Sequence, residues 1–204
     1  MTVDQIVFGG TFDPVHKGHL SVLQQVLDQT GAHEALLVPS GVPNLRPGAA
    51  APAGARLEMV RAAIAGDPRL AVSDLEVSRP GVSYTVDTLR ALEEADAARH
   101  RAVLVGADAA RDIRRWDRAA ELLRRGAFVV INRTGFPAVA MDELLALGFP
   151  EDRTTVLAVD SPPVSATEVR RRVSAGEPID ELVPEAVRRI IERDHLYRDG
   201  PPCA

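Results

Sequence analysis

Short apolar runs and helix-spaced apolar residues take turns along this chain, and that alternation leaves few folds open. Runs at 3–8, 35–39, 70–75, 101–105, 127–131 and 154–159 read as buried strands, the third the weakest. Helical spacing occupies 18–30, 56–65, 85–97, the stretch from 107 to 125, 141–147, 166–174 and 184–193, with Pro184 expected at the first helical position of the last helix. Strands separated by helices call for a parallel sheet covered on both faces. The expectation is α/β, a Rossmann-like doubly wound parallel sheet in a single domain over 1–198, with a small C-terminal helical part and a disordered tail at 199–204. Residues 44–54, rich in Pro, Gly and Ala, read as a mobile loop. In such a sheet ligands bind beyond the carboxyl ends of the strands, so the residues that follow the strands carry the functional argument.

Composition closes off other classes. At 204 residues the length suits one domain, and 46% apolar with 26% charged residues is globular. The net charge of −5 argues against a general nucleic-acid partner. One cysteine, Cys203, excludes a disulfide framework and a cysteine zinc site, and fits a reducing cytoplasm. No apolar run approaches the roughly 18 residues that span a bilayer, and residues 1–5 lack a signal-peptide pattern, so a cytoplasmic protein without a membrane partner is expected.

The first strand runs into Gly9-Gly10-Thr11-Phe12-Asp13-Pro14-Val15-His16-Lys17-Gly18-His19, a glycine-rich turn feeding a helix. It is neither GxGxxG nor GxxxxGK[ST]. Free backbone amides at a helix start still suit an anion, and two glycines let backbone approach it closely. His16 and His19, three apart, share a face as the helix begins. They could donate to phosphoryl oxygens and carry positive charge when protonated, which serves phosphoryl or nucleotidyl transfer. Taken as a bare HxxH, the pair also reads as surface histidines, or as metal ligands lacking a nearby third donor.

The whole string resembles the signature of the nucleotidyltransferase superfamily that carries the HxGH motif. Further segments resemble the bacterial nicotinate mononucleotide adenylyltransferases within it. These are Arg79-Pro80-Gly81-Val82-Ser83-Tyr84-Thr85-Val86-Asp87-Thr88-Leu89, Gly106-Ala107-Asp108 with Trp116 downstream, Val164-Ser165-Ala166-Thr167-Glu168-Val169-Arg170, and Val183-Pro184-Glu185 with His195-Leu196-Tyr197. The likeness runs from about residue 3 to residue 198. It departs at Leu45 and Arg46, where His and Lys are usual, and at Ala166, which stands for a second serine.

The resemblance implies an enzyme that joins ATP and nicotinate mononucleotide into nicotinate adenine dinucleotide and pyrophosphate. It implies catalytic roles for His16, His19 and Arg170. ATP would lie on Gly9, Gly10, Thr11, Phe12, His16, Gly18, His19, Gly106, Asp108, Ser165, Thr167 and Arg170. The acceptor would meet Arg46, Ser83, Tyr84, Thr85 and Trp116, with the Tyr84 and Thr85 amides on its carboxylate, its pyridine stacked on the indole, and Ser83 or Thr85 capping the helix. Mg2+ would arrive with ATP, held by phosphates and water rather than by a protein metal site. A homo-oligomer fits this reading as well as a monomer. Two rivals stand beside it: a nucleotidyltransferase with another phosphorylated acceptor, and a catalytically silent nucleotide-binding sensor.

Overall fold

A computed structural model describes residues 3–43 and 49–198. The elements alternate as β1 (Gln5–Gly10), α1 (Lys17–Thr30), β2 (Glu34–Pro39), α2 (Ala53–Ile64), β3 (Leu70–Val72), α3 (Leu75–Ser78), α4 (Thr85–Ala95) and β4 (Arg101–Gly106). They continue as α5 (Ala107–Arg111), α6 (Ala119–Arg125), β5 (Ala127–Arg133), α7 (Met141–Leu147), β6 (Thr154–Val159), α8 (Ala166–Ser174) and α9 (Glu185–Arg193). All strand pairs are parallel and the order is β3-β2-β1-β4-β5-β6. The chain leaves β1 in one direction and returns at β4 on its other side. That reversal opens a crevice beyond the carboxyl ends of β1 and β4.

Side chains alternate across a strand, and here the alternation sorts the core into two layers. Ile6, Leu104, Val129 and Ile131 face one layer, built with Leu23 and Leu27 of α1, Met59 and Val60 of α2, Val169 of α8 and Ile191 of α9. Val103, Val105, Phe128 and Val130 face the other, with Leu89 of α4, Ala110 of α5, Leu122 of α6 and Leu144 of α7. The sheet is therefore doubly wound, and α8 and α9 form the C-terminal helical part. Bidentate hydrogen bonds from Arg193 to Glu58, at 2.9 and 3.0 Å, tie α9 to α2. Among the described residues no helix is long and apolar enough to cross a membrane.

Three local expectations are corrected. The third strand stops at Val72 instead of Leu75, because Ser73 Oγ accepts the Leu75 amide at 3.2 Å and turns the chain into α3. The second helix begins at Ala53, within the expected loop, because the Pro52 carbonyl accepts the Arg56 amide at 3.0 Å. Pro184 is the N-cap of α9, not its first helical residue: its backbone is extended (φ −59°, ψ 149°), and its carbonyl accepts from Arg188. The expected disordered tail at 199–204 lies outside the described residues.

Candidate active site

A cleft of about 460 Å³ lies at the crevice. Of the residues expected to bind ligand, Gly9, Gly10, Thr11, Phe12, His19, Ser83, Tyr84, Thr85, Trp116 and Arg170 line it. They come from β1 and its loop, α1, the start of α4, the turn before α6, and α8.

The histidines are built by the helix start. His16 is the N-cap of α1 with extended backbone (φ −142°, ψ 169°), and its ring stacks on His19, centroids 3.7 Å apart and 23° from parallel. Gly18 makes room: a Cβ there would lie 3.1 Å from His16 Nδ1 and 3.2 Å from Ser161 Oγ. The His16 amide donates to His19 Nδ1 at 3.2 Å. That bond fixes the tautomer of neutral His19, with its proton on Nε2. Phe12, at φ 49°, sets its ring edge against His19 with centroids 5.2 Å apart. Burial, then the Arg133 charge, brings His16 down to about 4; burial, then His16 and Arg133, holds His19 well below 6.5. In the free protein at neutral pH both imidazoles are therefore neutral, and His19 keeps the donor role that does not require protonation.

Arg170 supplies the cation. Its Nη1 donates to the Asp13 carbonyl at 2.7 Å, and Thr167 Oγ1 lies 3.4 Å from its Nη2. Ser165 caps α8 by accepting the Glu168 amide at 3.2 Å, and the Ala166 side chain lines the cleft. Gly106 is the N-cap of α5. Asp108 pairs with Arg133 at 3.4 Å, and Arg133 lies over the Phe136 ring at 4.3 Å. His16, Gly18, Gly106, Asp108, Ser165 and Thr167 are not among the residues that line the cleft. Arg46 lies outside the described residues, as does Leu45.

On the acceptor side, Tyr84 is the N-cap of α4 and makes no side-chain capping bond. The expected cap from Ser83 or Thr85 is therefore absent: Ser83 Oγ instead accepts the Gly41 amide at 3.0 Å. Within the first α4 turn the Asp87 amide donates to the Tyr84 carbonyl at 3.1 Å, and the Tyr84 and Thr85 amides precede the first bond of the intrahelical ladder, at the positive end of the helix. Trp116 is half-buried in the wall, its backbone closing a 3₁₀ turn through a 3.0 Å bond to the Ile113 carbonyl.

Four side chains that sequence reading missed hold these parts together. The buried Asp13 carboxylate accepts the Ala50 amide at 2.7 Å, the Ala51 amide at 3.1 Å and the Tyr197 hydroxyl at 2.8 Å. Arg56, 1% exposed, donates to the carbonyls of Ala51, Thr11 and Gly41. Glu76 accepts from Thr88 Oγ1 at 2.5 Å in the cleft wall, and burial pushes its carboxyl up. A neutral directional donor and a cation thus line one cleft together with an aromatic plane and a helix start. That arrangement suits a polyphosphate and a flat heterocycle held side by side.

The cytidylyltransferase-like family model matches residues 7–172. The chain is 39% identical over 198 residues to the probable nicotinate-nucleotide adenylyltransferase of Acidothermus cellulolyticus, covering 94% of this chain and 93% of that one. It is 38% identical over 197 residues to the protein of that name in Symbiobacterium thermophilum, with 95% of each chain covered. The Plasmodium falciparum nicotinic acid mononucleotide adenylyltransferase complexed with NaAD superposes with a TM-score of 0.80 at 22% identity, covering 96% of this chain and 97% of that one.

Proposed function

The chain belongs to the cytidylyltransferase-like family and, within it, to the nicotinate-nucleotide adenylyltransferases; from that premise we propose how its cleft works. The enzyme joins ATP to nicotinate mononucleotide, forming nicotinate adenine dinucleotide and pyrophosphate. A phosphate oxygen of the mononucleotide attacks the α-phosphorus of ATP in line. The bond from that phosphorus to the β-phosphate oxygen breaks, and pyrophosphate leaves with the electron pair. Such transfers rest on positioning and charge stabilisation.

His19 Nε2–H donates to the α-phosphate oxygen as its charge grows, and Arg170 holds the departing phosphates through its guanidinium fork. His16 keeps His19 in the donating tautomer through its backbone amide. Gly9 and Gly10 let the backbone approach the nucleotide, with Gly106 and Asp108 nearby for adenosine. Trp116 stacks on the pyridine, and the amides of Tyr84 and Thr85 take its carboxylate. Ser83 completes the acceptor subsite, and Ser165 and Thr167 the nucleotide subsite. Mg2+ supplies charge neutralisation to the polyphosphate when bound. The cleft fits an ion carried on substrate: Asp13 already accepts from two amides and a hydroxyl, with Arg170 4.0 Å away.

The observation that carries the reading is the meeting, in one cleft, of His19 and Arg170 with Trp116 and the start of α4. Pyrophosphate release with ATP against a panel of acceptors tests it. Turnover with nicotinate mononucleotide should exceed that with its amide counterpart by about tenfold or more, since the amide loses a charge-assisted bond. Preference for an unrelated phosphate acceptor would move the protein to another reaction of the superfamily. Nucleotide binding without turnover would make it a sensor.

A further inference from the structure

We propose that Arg118, which lies outside the cleft lining, is a positioning residue for the acceptor: it locks the start of α4 to the Trp116 turn and so sets the width of the slot between them. The proposal rests on the reading of that slot as the pyridine site. Arg118 follows Trp116 by two residues, and Asp87 sits in the first turn of α4. The guanidinium grips Asp87 with both nitrogens, Nη1 to Oδ1 at 2.8 Å and Nη2 to Oδ2 at 2.6 Å. Its carbon also lies 5.5 Å from the centroid of the Tyr84 ring. One side chain therefore touches both the helix turn that presents the Thr85 amide and the residue preceding it.

Two features mark the contact as more than a loose surface pair. Arg118 holds a left-handed backbone (φ 48°, ψ 41°), unfavourable for a residue with a side chain. Strain of that kind persists where surrounding contacts fix it. The pair is also the top rung of a ladder between α4 and α6, continued by Arg90 with Glu121 and by Arg125 with Glu93. The lower rungs lie farther along the two helices, whereas the top rung sits behind Tyr84 and Trp116, which line the slot. A planar fork matched to a carboxylate fixes orientation as well as distance, which an ammonium does not.

Steady-state kinetics of the full chain with ATP and nicotinate mononucleotide tests this. Arg118→Ala should raise KM for the mononucleotide on the order of tenfold while kcat and KM for ATP stay within about twofold, the pattern of lost uniform binding. Arg118→Lys should recover part of the loss, and Asp87→Asn should reproduce it in milder form should Arg118→Ala fold poorly. An unmoved mononucleotide KM, an equal rise for both substrates, or a fall in melting temperature alone would each overturn the proposal. A wild-type protein that turns over no mononucleotide would overturn the functional reading first, and this proposal with it.

Discussion

A neutral imidazole donates its proton to a hydrogen bond without first having to gain one, so His19 works at any pH where it stays neutral. His19→Ala should lower turnover on the order of 10²–10³-fold, the scale for losing one transition-state donor, and circular dichroism should show the fold retained. Near-normal turnover in a folded variant would remove His19 from the chemistry. The same burial has a consequence for stability. His16 titrates at about 4 in the folded protein against an ordinary value of 6.5, so between these values the unfolded chain binds the extra proton. Its contribution is whole above pH 6.5 and is lost as pH falls toward 4, by about 1.4 kcal/mol per pH unit. Urea midpoints from pH 7.5 to 5 should fall with acid, and His16→Gln should flatten the slope; equal slopes in both would refute the burial argument. The histidines were legible because they sit three residues apart in one unusual string. Asp13, Arg56, Glu76 and Tyr197 were not, because their partners come from far along the chain, as with the 184 residues separating Tyr197 from Asp13.

At the scale of elements, Gly41 joins β2 to the acceptor side. A Cβ there would lie 2.3 Å from the Glu76 carbonyl oxygen, which is backbone and cannot swing aside. Gly41→Ala should therefore displace α3, cost about 1–3 kcal/mol of stability and raise KM for the acceptor, as measured by urea midpoint and kinetics together. A variant with an unchanged midpoint would mean that the α3 turn yields freely. Elements long enough to show a period were readable from sequence, as Val22, Leu23, Val26 and Leu27 on α1 illustrate. The four-residue α3 was not: it spans barely one turn, too little for an apolar pattern to repeat, and a serine side chain, not propensity, starts it. The Ser83 cap failed for a related reason: a hydroxyl before a helix is a candidate cap only until a closer partner, here the Gly41 amide, claims it.

For the whole molecule, Tyr197 joins the far end of the described chain to the first loop. Tyr197→Phe should leave Asp13 one donor short and lower stability by about 1–3 kcal/mol. It should also weaken the use of ATP, since Asp13 carries the carbonyl that holds Arg170. A differential scan and an ATP titration would check both, and an unchanged melting point would show that the hydroxyl bond adds nothing. The sheet class was legible because strand and helix periods alternate without interruption. The division of the core was not, since a run such as Ala102-Val103-Leu104-Val105 is apolar on both faces and does not say which neighbour each side chain meets. That division has a consequence for how such a chain can change over generations. Phe12, which steadies His19, is rooted in one layer; Tyr84 and Trp116 lean on the other, with the sheet as partition. Substitutions that reshape the acceptor wall then repack mainly one layer, and the tie that crosses to the nucleotide loop is Arg56, which bonds the Thr11 and Gly41 carbonyls. Inheritance can therefore try new acceptors one mutation at a time while that tie holds.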